Sequence, residues 1–79
     1  MTHVLIVEDS RTKAEALRFT LESEGFDVSI APDGPSAFKL LASREVDLVL
    51  SDVHMPQMSG YELCARLKAD ENTSALPVI

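Results

Sequence analysis

The apolar residues of this chain come in short runs separated by stretches of helical period, and that rhythm predicts the elements. Val4 to Val7 is an unbroken branched apolar run, the pattern of a strand buried on both faces. Ser10 stands where it can cap a helix in which Ala14, Leu17 and Leu21 fall at i, i+3 and i+7 and form a core stripe. Gly25 ends that helix, as a residue able to take the left-handed conformation. The alternation over Asp27–Ala31 is weaker and suits an edge strand with one wetter face. Asp33-Gly34-Pro35 then punctuates the chain. Either Asp33 or Gly34 can be the N-cap, with Pro35 in the first turn.

The second helix carries Ala37, Leu40 and Leu41 on its apolar face and closes at Arg44-Glu45. Val46 to Leu50 is a third strand, and a loop over residues 54–59 leads into a third helix with Gly60, Leu63, Cys64 and Leu67 on its buried side. Asp70 to Ser74 is a polar loop, after which Leu76-Pro77-Val78-Ile79 opens another buried strand. The order β-α-β-α-β-α-β, with connections of this length, is that of right-handed parallel crossovers. The fold class is α/β. Residues 1–79 are expected to form the N-terminal part of one larger domain, since a parallel strand begun at Leu76 would otherwise leave a sticky edge.

Composition narrows the partners. Thirteen acidic and seven basic residues give a net charge of −6, which argues against nucleic acid or an anionic membrane as a ligand of this segment. The lone Cys64 excludes an internal disulfide, and its helical context suits a reduced compartment. The start Met1-Thr2-His3 lacks signal-peptide features, and no apolar run reaches spanning length, so a cytoplasmic location is expected.

The candidate chemistry lies in three acids. Glu8 and Asp9 follow the first strand and Asp52 follows the third. If those strands are parallel neighbours, the three converge on one patch at the carboxyl edge of the sheet. Carboxylates so close repel one another and invite a hard divalent cation. A cation held by oxygens beside a carboxylate is suited to phosphoryl chemistry.

These residues resemble the receiver domain of two-component response regulators. The resemblance rests on Glu8-Asp9 after the first strand and on Asp52 after the third. It rests also on residues 52–60 read as D-x-x-M-P-x-M-x-G, and on the tail Thr73-Ser74-Ala75-Leu76-Pro77-Val78-Ile79. It implies a flavodoxin-like doubly wound parallel sheet of order 2-1-3-4-5, of which this chain holds three βα units and the start of the fourth strand. It implies that Asp52 accepts a phosphoryl group from a sensor histidine kinase or phosphotransfer protein. Asp9 would ligate Mg²⁺ directly, Glu8 directly or through water, and the backbone carbonyl of His54 would complete the protein ligands, with Asp52 also at the metal. Such a protein takes the group on its own aspartate and is not a turnover enzyme. The Ser or Thr and the Lys that receivers carry after their fourth and fifth strands would lie beyond Ile79.

Two other classes are weighed against this one. A phosphohydrolase of the haloacid-dehalogenase type wants a second acid two residues after its nucleophile, and His54 stands there instead. A truncated receiver acting only as a structural unit would form a homodimer through its exposed sheet edge. Other residues carry plainer readings. The His54 side chain lines the rim, His3 begins a strand, and Met55 and Met58 anchor their loop on the third helix. Cys64 is a small buried hydrophobe. Phe19 lies off the first helix's stripe and packs on a C-terminal helix absent from this sequence, packs on a partner, or is exposed; the first is favoured, since the receiver fold sets its last helix beside the first.

Overall fold

The most apolar run of the sequence becomes the middle of the sheet. In the computed structural model, which describes residues 1–52, 58–71 and 73–79, the elements are β1 (His3–Val7), α1 (Arg11–Ser23), β2 (Asp27–Ala31), α2 (Gly34–Ser43), β3 (Leu48–Ser51) and α3 (Gly60–Ala69). The three strands are parallel and ordered β2-β1-β3. β1 therefore has a neighbour on each side and helices on each face, and Val4, Leu5, Ile6 and Val7 are each 1% exposed or less. Burying each such side chain is worth about 1.5–3 kcal/mol, so this strand anchors a small fold.

The twofold alternation of β1 divides the core in two. Leu5 and Val7 join Val49, Ala37, Leu63 and Leu67 on the face covered by α2 and α3. Val4 and Ile6 join Ala14, with Leu21, Val28 and Leu50 packed around them, on the α1 face. Helices on both faces of a parallel sheet are the doubly wound arrangement. No helix of the described residues is long and apolar enough to cross a membrane.

Short polar side chains set the helix starts. Ser10 Oγ accepts from the Lys13 N–H at 3.4 Å, and Ser59 Oγ from the Glu62 N–H at 3.1 Å. Asp33, not Gly34, caps α2: its carboxylate accepts from the Ser36 N–H at 2.8 Å, and this bond holds its pKa below the ordinary carboxylate value. Gly25 has a φ of 93°, as the end of α1 requires. Gly34 answers a different need. A Cβ there would come within 2.5 Å of Met58 Sδ, so its bare backbone makes room for Met58 in the core.

Several expectations need correction. Leu17 is 41% exposed, because the buried side of α1 runs through Ala14 and Leu21 while Leu17 turns toward the β3 flank. There it lines an apolar recess of about 300 Å³ with Ile6, Leu50 and Ile79. The third strand is Leu48–Ser51 rather than Val46–Leu50, although the Asp47 N–H already donates to the His3 carbonyl at 2.8 Å. Cys64 is half-buried. Met58 packs against Gly34 of α2 as well as joining the α3 side chains in one core, whereas Met55 lies outside the described residues. Phe19 is 77% exposed, as its place off the α1 stripe implies.

The last segment is strand-like in its bonds but not in its burial. Val49 N–H donates to the Pro77 carbonyl at 3.0 Å, Ile79 N–H to Val49 at 2.9 Å, and Ser51 N–H to Ile79 at 2.8 Å. These bonds form a parallel bridge between Val49 and Val78 beside β3, yet Ile79 is 74% exposed. Lys68 Nζ holds the approach by donating to the Leu76 carbonyl at 2.8 Å. The polar loop ahead of it includes Asn72, which lies outside the described residues.

Candidate functional site

Strand register brings the acids together. Val7 pairs with Ser51, so the next residues along each strand, Glu8 and Asp52, emerge side by side at the carboxyl edge. The ends are fixed by backbone bonds: Asp52 N–H donates to the Val7 carbonyl, and Glu8 N–H to the Ala31 carbonyl, both at 3.0 Å. Asp9 follows Glu8 in the turn to α1. One carboxylate oxygen from each of Glu8, Asp9 and Asp52 lies within 4.8 Å of the others.

Burial differs among the three, and so does their chemistry. Glu8 is 7% exposed, Asp52 is half-buried and Asp9 is exposed. Ser10, whose side chain caps α1, also donates its backbone N–H to Glu8 Oε2 at 3.0 Å. Burial raises the Glu8 pKa above its ordinary value of 4.5, and a side-chain hydrogen bond with Asp9 and the charge of Asp52 raise it further. The Ser10 N–H and the Lys13 ammonium act in the opposite sense, without reversing the shift.

A raised folded pKa means that folding takes up a proton between the unfolded and folded values. The stability linked to Glu8 is therefore fully present below about pH 4.5 and lost as pH rises through the raised value. Replacing Glu8 by glutamine removes that titration. Thermal unfolding of the metal-free protein across this range should then show a smaller loss of stability toward neutral pH than the parent shows.

Three hard oxygen donors at this separation fit a divalent cation that takes carboxylates and keeps several waters. They are the one such group of three among the described residues. His54, whose carbonyl was expected to join them, lies outside the described residues, as do the neighbours 53 and 55–57 of the loop.

A second polar cluster escapes a reading of the sequence. At the other end of the sheet, His3 Nε2 lies 2.7 Å from Ser29 Oγ, and its Nδ1 lies 2.9 Å from the Glu45 carbonyl. The His3 N–H donates to Asp47 at 2.8 Å. His3 thus does more than begin β1: it ties β2 and the segment before β3 to the central strand. Its partners stand 26 to 44 residues away, so no local pattern could have shown them.

The fold has relatives of known type. Residues 4–79 match the response regulator receiver domain family. The sensory transduction protein RegX3 of Mycolicibacterium smegmatis is 44% identical over 79 residues, which is 100% of this chain and 33% of that protein. The chain thus spans about a third of the length of that relative. The solved signal receiver domain of a signal transduction histidine kinase from Syntrophus aciditrophicus superposes with a TM-score of 0.95 at 41% identity, covering 99% of this chain and 59% of that one. The response regulator TrrA of Thermotoga maritima, solved in complex with Mg²⁺-BeF, gives a TM-score of 0.84 at 26% identity over 100% of this chain and 85% of that one. With its parallel β2-β1-β3 sheet and the acids at its carboxyl edge, this chain belongs to the receiver domain family of two-component response regulators.

Proposed function

We propose that this chain is the phosphoacceptor portion of a response regulator, with Asp52 as the residue that takes the phosphoryl group. The observation that carries the reading is the convergence of Glu8, Asp9 and Asp52 within 4.8 Å at the switch point of a doubly wound sheet. A carboxylate oxygen of Asp52 attacks the phosphorus of a phosphohistidine on a sensor kinase or phosphotransfer protein. The P–N bond breaks, its electron pair returns to the imidazole, and an aspartyl phosphate forms on this chain. The group is accepted rather than turned over, so the chain acts as a signalling element and not as an enzyme. Its expected place is the cytoplasm.

Glu8 and Asp9 would hold Mg²⁺ with Asp52, and the His54 carbonyl would join the same set. When bound, the cation offsets the charge that gathers between carboxylate and phosphoryl oxygens. The chain's own residues do the rest. Ser10 fixes one Glu8 oxygen through its backbone N–H, which limits how the carboxylate can turn. The backbone bond from Asp52 to Val7 sets where the acceptor emerges. Support also comes from TrrA, a relative solved with Mg²⁺-BeF, a ligand pair whose fluoride-bearing group imitates a phosphoryl group. The share of that relative and of the Syntrophus domain that this chain covers fits residues 1–79 as one part of a receiver domain.

Thermal unfolding with beryllofluoride and Mg²⁺ tests the proposal. A ligand at a hundredfold its Kd stabilises by about 2.7 kcal/mol. The expected result is a rise in Tm that requires both additives and disappears in Asp52→Ala. A shift that survives that substitution, or no Mg²⁺-dependent shift at all, overturns the reading.

A further inference from the structure

We propose that the open edge of β2 is a docking strand for an acidic, extended polypeptide segment of a partner protein. The inference uses none of the carboxylates at the phosphoryl site and stands apart from that reading. β2 ends the sheet, with β1 on one side and no strand on the other among the described residues. The Asp27 N–H donates to the Thr2 carbonyl, and the Ala31 carbonyl accepts from Glu8. In an extended chain, alternate residues turn their backbone groups to opposite sides. Asp27, Ser29 and Ala31 thus serve the ladder to β1, while the N–H and C=O groups of Val28 and Ile30 face the open edge. Such a row is a template for one added strand.

Charge says what kind of strand. A groove of about 530 Å³ runs along this edge between α1 and α2, lined by Arg18 on one side and Lys39 and Arg44 on the other, with Val28 and Ile30 at its floor. Three of the seven basic residues of a chain of net charge −6 are gathered here, and no acid among the described residues lines the groove. Arg44 is steadied by a 3.4 Å bond from its guanidinium to Ser29 Oγ, which His3 also holds. Arg18 is only loosely engaged. Its bonds to the two Glu15 carboxylate oxygens are 3.4 and 3.5 Å long and lie on the surface, so they hold it weakly. Asp33 is close enough to feel Lys39, but its carboxylate is committed to capping α2.

Successive side chains of an added strand point to opposite faces. Two adjacent acids would therefore meet Arg18 on one face and Lys39 with Arg44 on the other. The overall negative charge does not prevent this, because a Debye length of about 8 Å at physiological salt confines what the ligand feels to the groove. A second copy of this chain is a poor occupant. Edge-to-edge pairing about a twofold axis would set the same three cations against themselves.

The probe is a fluorescent peptide of about eight residues, with adjacent glutamates flanked by valine and threonine, titrated onto the chain and read by anisotropy and amide chemical shifts. Binding should move the Val28 and Ile30 amides and weaken with salt. It should fall about tenfold or more in Lys39→Glu, at an exposed position, and in Arg18→Glu, at a half-exposed one, with circular dichroism showing both variants folded. Of two peptides of the same sequence, each methylated on one alternate set of backbone nitrogens, the one whose methyl groups face β2 should lose binding while the other keeps it. Undiminished binding of both methylated peptides, or equal binding of a heparin fragment, would reduce the groove to a general polyanion patch and overturn the proposal. Absence of binding, or binding unchanged by both charge reversals, would overturn it too.

Discussion

Asp52→Asn should reduce phosphoryl incorporation from acetyl phosphate to background while leaving the fold intact. The amide keeps the shape of the side chain but has no anionic oxygen with which to attack phosphorus, and no nearby acid takes its place. Glu8 is buried and engaged by Ser10, so it is poorly placed to meet a phosphoryl donor. Asp9 is exposed, on the turn into α1. The backbone bond from residue 52 to the Val7 carbonyl does not depend on the side chain, so the strand end survives the change. The substitution also removes a charge that helps to raise the Glu8 pKa. The metal-free variant should therefore be as stable as the parent or more so, and the Glu8 carboxyl should titrate at lower pH by NMR. Loss of phosphorylation together with unfolding would point to a structural role instead.

Leu5→Ala should cost about 2–5 kcal/mol of folding stability, the range for emptying a close-packed core site. Leu5 is fully buried, sits on the central strand and packs in the cluster that α2 and α3 share. The loss includes the transfer of its methyl and methylene groups and the cavity left behind, because β1 is held by strands on both sides and cannot move in to fill it. A fold of this size has only a few kcal/mol to lose, so Tm should fall by more than about 10 °C. Leu17→Ala is the matched control. The sequence places both leucines in the core, Leu5 in a strand buried on both faces and Leu17 in the α1 stripe, but Leu17 is 41% exposed, and its truncation should cost about 1 kcal/mol or less. Equal losses at the two positions, measured by urea unfolding, would contradict the core described here.

Much of the fold was legible because local signals agreed. The Val4–Val7 run, the Ser10 cap, the left-handed Gly25 and the edge character of β2 each follow from steric or hydrogen-bonding preferences of a few adjacent residues. What period alone could not supply was how an element turns about its own axis. The Ala14, Leu17, Leu21 spacing defines a helical face, but only the position of β3 decides which edge of that face is covered. The start of β3 was misplaced for a related reason. Val46 is apolar and packs against the core, yet the chain joins the regular ladder only at Leu48.

The candidate site was legible to a different degree. Glu8, Asp9 and Asp52 could be picked out as strand-end acids, but their meeting depends on β1 and β3 being neighbours, which the family resemblance implied and the β2-β1-β3 order bears out. The unequal burial of the three is set by the turn into α1 and by the bond from Ser10, so it had no sequence signal. The His3–Ser29–Glu45–Asp47 cluster had none either, since its members come together only when the sheet closes. Met58 and Gly34 are a similar case: a glycine read as punctuation proves to be space for a side chain 24 positions on.

The most direct measurement of the central claim is to expose the chain to acetyl phosphate with and without Mg²⁺, reduce any acyl phosphate with borohydride, and locate the mark by peptide mass spectrometry. The mark should fall on Asp52 alone, should require Mg²⁺, and should vanish when Glu8 and Asp9 are replaced by their amides. A mark on another residue, or one formed equally without the cation and without those two carboxylates, would contradict the assignment of this acid cluster as a Mg²⁺-dependent phosphoacceptor site.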